Sequence, residues 1–207
     1  MAACVRLAIR SPTVEDGRRQ NRTGEGRLIR IRTLTAAALG AVLLVTIAGN
    51  AQQPAAPAQN PLDVVPEKMP WNTPYGPPIS AVRAQAAIQA AMAESFKRGW
   101  QLNIAVVDPG ANLVAFVRMD GAQLGSIVIA EHKARTAVKY RRPTKVFEDA
   151  VQKSGYTYQL SLDDVIASRG GIPLIEDGKI IGAIGCSGGT GSQDEVVCMS
   201  GAATINK

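Results

Sequence analysis

His132 is the only imidazole in 207 residues. It stands inside a basic run, Glu131 to Arg142, that also holds Lys133, Arg135, Thr136, Lys139, Tyr140 and Arg141. Neutral imidazole is a good metal ligand, and a histidine on a polar helix face is equally a solvated or interface residue. Both readings stay open. Thr136, Tyr140 and Met119 are weaker candidates for the same ligand position. The crowded cations suit carboxylates through charge-assisted hydrogen bonds. Taken singly, each also fits a solvated face beside an acidic neighbour such as Glu131. Arg118 and Asp120 close the preceding strand. Asp120 either pairs with Arg135 or helps line a pocket with it.

A second constellation is Gly185 to Gly191, Gly-Cys-Ser-Gly-Gly-Thr-Gly, leading into a helix. Free N–H groups and the helix dipole there suit an anion at Gly188 and Gly189, with Gln193 and Asp194 either capping the helix or touching ligand. A tight strand-to-helix turn is the plainer reading. The loop lacks the Gly-Lys-Ser/Thr ending of a nucleotide-binding loop. Gly185 to Gly189 also matches the nucleophile-elbow pattern around Ser187. An elbow needs a parallel sheet and a downstream histidine, whereas His132 lies upstream. Cys-x-x-Cys and His-x-x-x-His spacings are absent, which argues against structural zinc.

The elements that must carry these groups follow from period and punctuation. Ser80 caps a helix reaching Arg98, with Gly99 just beyond it and an apolar face of Val82, Ala86, Ile88, Ala90, Ala93 and Phe96. Strands at about 101–107 and 113–119 flank the turn Asp108 to Asn112. A helix over about 125–140 buries Ile127, Ala130, Ala134, Ala137 and Val138 and turns His132, Thr136 and Lys139 to its opposite face. A short helix follows Pro143. A second hairpin, 171–175 and 180–184, turns at Asp177-Gly178. Pro173 marks its first strand as an edge. Ser192 to Glu195 fits the capping box of a last helix. Helix, hairpin, helices, hairpin, helix predicts an α+β fold, an antiparallel sheet built from two hairpins with packed helices.

The front of the chain is different. A long basic region precedes the apolar run Leu34 to Ala48 and the small residues Gly49 to Ala51, which reads as a secretory signal over residues 1–51. The unusual length of the basic region suggests a true start nearer Leu28. Arg18-Arg19 lacks the apolar residue that twin-arginine export wants after the pair. The apolar run is too short for a membrane span of ~20 residues, so no stable span is expected after processing. Residues 52–78 are rich in proline and alanine and read as a linker or arm. Its Met69, Trp71 and Tyr75 are apolar enough to pack on the domain or on a neighbour. The folded domain then runs over 79–207. Eight of the 23 basic and three of the 17 acidic residues lie in residues 1–51. The remainder is therefore nearly neutral, which argues against nucleic acid as a partner. Cys186 and Cys198 are 12 positions apart. In an oxidising compartment they are either a disulfide or two buried thiols.

Several ordered motifs resemble the GlcG/HbpS family: Val107 to Gly110 through Arg118 to Gly121, Lys133 to Ala137, Arg142 to Thr144, Ser168 to Pro173, and Ile184 to Gly188 with Gln193 to Glu195. The resemblance covers about 79–207. Cys186 departs from it, standing where an apolar residue is expected. The resemblance implies a profilin-like topology, haem as cofactor, in some members haem degradation, and a homo-oligomer, often an octamer. With the signal, it implies an exported, periplasmic or extracellular protein that sequesters or senses haem. The resemblance does not choose the iron ligand; from the residues themselves the haem contacts would be His132 as metal ligand with Thr136, Tyr140, Lys133, Arg135 and Arg118. The reading from a different class is a small-molecule enzyme or carboxylate-binding module. Its pocket would use Arg118, Asp120, Lys133, Arg135 and Arg169.

Overall fold

The computed structural model describes residues 61–206. The predicted signal and the first part of the arm lie outside the described residues. Four strands form one antiparallel sheet: β1 (Asn103–Val107), β2 (Leu113–Arg118), β3 (Gly171–Glu176) and β4 (Lys179–Ser187). Their order is β2-β1-β4-β3, so the two hairpins lie side by side and β3 is an edge. The second hairpin turns on Asp177 and Gly178, both at positive φ (49° and 71°), as a two-residue turn of the mirror-image type requires. Among the described residues, no helix is long and apolar enough to cross a membrane.

Helices cover both faces of the sheet. α1 (Ala81–Arg98) and α4 (Gly191–Ala202) share one face, over Ile104, Val106, Ile184 and Cys186. α2 (Ser126–Lys139) takes the other, over Ala105, Val107, Ile180 and Ala183. α3 (Lys145–Gln152) follows α2 after a tight turn at Arg141 (φ 55°). α2 sits unusually close to the strands. A Cβ on Gly185 would lie 2.1 Å from the Ala130 carbonyl oxygen, and one on Gly171 would lie 2.3 Å from that of Lys133. Only glycine admits that approach.

Ser80 and Gly99 cap α1 as their types predict, but the buried face of α1 differs from the predicted one. Ala84, Ala87, Ile88, Ala91 and Ser95 are buried, whereas Val82 and Phe96 are exposed. The stripe of alanines lets α1 close on α4 and the sheet, and the bulkier Val82 and Phe96 are left outside that contact. The last helix begins one residue earlier than predicted. Its capping box is Thr190 with Gln193, not Ser192 with Glu195. Cys186 and Cys198 are joined by a disulfide, Cα to Cα 5.6 Å, which ties β4 to α4.

The arm joins the fold before Ile79. Gly76 and Ile79 donate backbone N–H bonds to Ile180 and Ile181, and Ile180 donates to Pro74, each at 2.8 Å. β1 pairs with β4 only as far as Ala183, so residues 74–79 occupy the ladder positions left beyond it.

Candidate functional site

The outer face of α2, predicted to meet a ligand, is instead largely committed to the loop that precedes β3. The Thr136 hydroxyl donates to the Asp164 carbonyl (2.5 Å) and accepts from the Ile166 N–H (3.1 Å). Thr136 is fully buried. The Tyr140 hydroxyl donates to the Asp163 carbonyl (2.6 Å). Lys139 pairs with the Asp164 carboxylate. That bond holds the carboxylate below its ordinary range against the opposing effect of burial. Asp164 itself sits at positive φ (57°). Thr136 and Tyr140 therefore latch a loop, and their oxygens are spent on it. His132 keeps an accessible ring, 42% exposed, with Nε2 3.6 Å from Asp164 Oδ1. Arg135 pairs with Glu131 on the next turn (2.8 Å), not with Asp120.

Lys133 corrects the sequence reading most sharply. It points inward from α2 and is 1% exposed, with Nζ 2.7 Å from Asp194 Oδ2. The other oxygen of Asp194 accepts the Gly189 N–H at 3.0 Å. Thr190 and Gln193 satisfy each other's backbone donors in the capping box. The Gly-rich helix start thus does what its chemistry suggests, but the anion it holds is the chain's own Asp194. Burial pushes the Asp194 carboxyl above its ordinary value despite Lys133 and the loop N–H groups. Ser187 is a buried residue of β4 paired with Asn103, which removes the elbow reading. Arg169 grips Glu148 through its backbone N–H and guanidinium, at 2.6–2.7 Å, and reaches Glu195 at 3.5 Å. Burial raises the Glu148 carboxyl, but these bonds outweigh it and leave the group lowered. Lys133, Arg135 and Arg169 are each engaged with their own carboxylates, so the five residues predicted for a carboxylate pocket do not converge.

Arg118 is the exception. Its side chain and that of Asp120 form no ion pair among the described residues, and both are exposed. They border a hollow of about 310 Å³ walled by Met92, Phe96, Trp100, Val117 and Met119. A second hollow of about 330 Å³ shares Gly99, Trp100 and Gln101 with the first and extends to Gly121, Gly188, Gly189 and Gln193. Arg98 packs on the Trp100 ring at 5.1 Å and is itself held by Glu94 at 2.5 Å, so the indole wall is fixed in place.

The model of the family described as "Haem degrading protein HbpS-like" matches residues 79–203. The chain belongs to this HbpS-like family. It is 40% identical to Protein GlcG of Escherichia coli K12 over 109 residues, which is 53% of this chain and 81% of that protein. Two solved structures share the fold. A double mutant of HbpS from Streptomyces reticuli is 28% identical, with TM-score 0.58, covering 70% of this chain and 97% of that one. A structure titled "PduOC:Heme Complex" is 30% identical, with TM-score 0.58, covering 62% and 96%. These neighbours agree with the α+β antiparallel architecture seen here.

In this HbpS-like domain the hollows and His132 lie in different layers. The hollows belong to the α1 side of the sheet and its end, whereas His132 is on the outer side of α2. The α1 wall escaped the sequence reading because periodicity puts Phe96 on the core-facing stripe of α1 and gives Met92 and Trp100 no role. The signal that could have found it was their excess over the alanines that actually fill the core.

Proposed function

We propose that this protein binds haem, and that the hollow at the end of α1 receives it. The observation that carries this reading is an apolar and aromatic wall bordered by the exposed guanidinium of Arg118, which forms no ion pair among the described residues, in a family whose description names haem. The residues fit the group. Met92, Phe96, Trp100 and Val117 would offer a surface for the ring, Arg118 would offer donors to a propionate, and the Met92 thioether would be a candidate to hold the iron. Haem bound there would bring a redox-active iron. The chain's own contribution is to exclude water from the ring and to anchor its acidic edge. The family description and the haem complex of a 30%-identical neighbour support this reading. The Cys186–Cys198 disulfide supports export, since such bonds persist in oxidising compartments. The proposed protein is an exported homo-oligomer that sequesters or senses haem.

A saturable Soret shift on haem titration tests this. Arg118→Gln weakens binding by roughly tenfold or more, as loss of a charge-assisted bond does, Met92→Ala alters the spectrum, and His132→Ala leaves both unchanged. Loss of the shift in His132→Ala alone moves haem to the α2 face. Absence of any saturable shift rejects haem. The hollow's volume, at the small end of ligand sites, favours a small carboxylate as the second reading in that case.

A further inference from the structure

We propose that the arm of one copy of this chain packs into an apolar groove on a second copy. On the arm, Val64, Val65 and Met69 are 65%, 89% and 70% exposed. They leave from a fixed root. The Trp71 ring lies under Arg142 at 5.3 Å, the one proton of the Tyr75 hydroxyl is shared between the Val138 and Lys139 carbonyls, each at 3.0 Å, and the backbone bonds of residues 74–79 follow. A solvated linker has no use for three exposed apolar side chains within six residues beside an anchored root.

The groove lies on the far edge of the sheet. Two hollows, about 260 Å³ and 210 Å³, meet at Ile172 of β3 and Met199 of α4, with Val146 and Pro143 at one end and Ala203 at the other. An exposed edge usually recruits another strand, but this one is closed to pairing. Asn206 bonds the Ile175 N–H (2.7 Å) and the Pro173 carbonyl (3.0 Å), Thr144 takes both backbone groups of Gly171, and Pro173 has no N–H to give. The groove therefore takes side chains, not a backbone ladder. Its occupant should be extended, apolar and poor in donors, which describes a proline-rich segment. Residues 61–70 have Pro61, Pro66 and Pro70 around Val64, Val65 and Met69. Among the described residues these arm side chains point to solvent and none of them lines the groove, and the occupant proposed is the arm of a second copy. A reciprocal exchange then closes with two-fold symmetry.

Mass measured by sedimentation over a range of concentrations, with the arm intact, tests this. Val65→Asp with Met69→Asp on the arm, or Met199→Glu in the groove, should each weaken association by roughly tenfold or more, since each removes buried apolar contact. All three positions are exposed, and circular dichroism checks that the fold survives. The arm variant and the groove variant are then mixed. The mixture retains one arm–groove contact that neither variant has alone, and should associate more tightly than either. Association that is unchanged in both variants, or a mixture no tighter than its components, overturns the proposal. So does a chain that stays monomeric throughout, including one whose arm folds back into its own groove.

Discussion

Replacing Lys133 by methionine tests whether this buried cation is structural. The side chains of Lys133 and Asp194 are 1% and 3% exposed and 2.7 Å apart. Removing one member of such a pair strands the other charge and costs about 3–5 kcal/mol. With a urea dependence of roughly 2 kcal/mol per molar, the unfolding midpoint falls by about 1.5–2.5 M at neutral pH. The pH dependence has a definite sign. Burial already raises the Asp194 carboxyl above its unfolded value of 3.8, and loss of Lys133 raises it further. A carboxyl raised in the folded state favours folding when protonated, and that advantage is lost as pH rises through its folded value. The gap between wild type and Lys133→Met therefore narrows as pH falls from 7 towards 4. Asp194→Asn shows no such acid-side recovery. The double variant costs less than the sum of the singles. Urea unfolding at several pH values measures all of this. A cost under about 1 kcal/mol, a gap that does not narrow, or additive singles would refute the reasoning and return Lys133 to the ligand-binding residues.

Three further outcomes follow from local geometry. Gly185→Ala places a methyl 2.1 Å from the Ala130 carbonyl oxygen and 2.5 Å from the Ala134 nitrogen. It should cost at least about 1–3 kcal/mol in thermal or urea unfolding, and wild-type stability would contradict the packing described. Reduction of Cys186–Cys198, which spans 12 positions, should lower stability by about 3 kcal/mol. Unfolding with and without reductant measures it, and an unchanged midpoint would count against the bond. Hydrogen bonds from Lys145 and Lys153 hold the Asp149 carboxyl down to about 2. A carboxyl lowered on folding stabilises above its unfolded value of 3.8, and that contribution disappears as pH falls towards 2. A carbon-detected titration should place its midpoint near the lower figure, and a midpoint near 4 would break the assignment.

Local chemistry carried most of the fold. Ser80, Gly99 and Asp177-Gly178 announced their caps and turn because each acts within a few residues. The apolar face of α2 was legible in part: Ala130, Ala134, Ala137 and Val138 are buried at the predicted spacing, while Ile127 is half-buried and Lys133 and Thr136 join the buried face. The face of α1 was not, because alanine is indifferent in a periodicity count, and only the closeness of α4 shows which alanines are buried. The candidate site was harder to read for a related reason. Thr136 looks outward on a helical wheel until a loop 28 residues away arrives to accept its hydroxyl. Lys133 looks like one cation among five until Asp194, 61 residues on, is seen beside it. Partners so distant leave no mark in spacing. At the Gly-rich helix start the plainer reading was a tight turn and the other an anion site, and sequence could not say that the loop N–H of Gly189 is met by the chain's own Asp194.

The seating of α2 on Gly171 and Gly185 has a consequence for motion. With backbone against backbone at those two points, no side chain lies between helix and strands to act as a bearing on which the helix could roll or slide. The helix and the strands beneath it should exchange their amide hydrogens as one cooperative unit, among the slowest in the molecule. Breathing is then left to what is hung on that block from outside, chiefly residues 153–168 and the arm. The loop held by Thr136 and Tyr140 also carries Asp164 beside His132, so its opening would bare the flank of that ring while the sheet keeps its pairing.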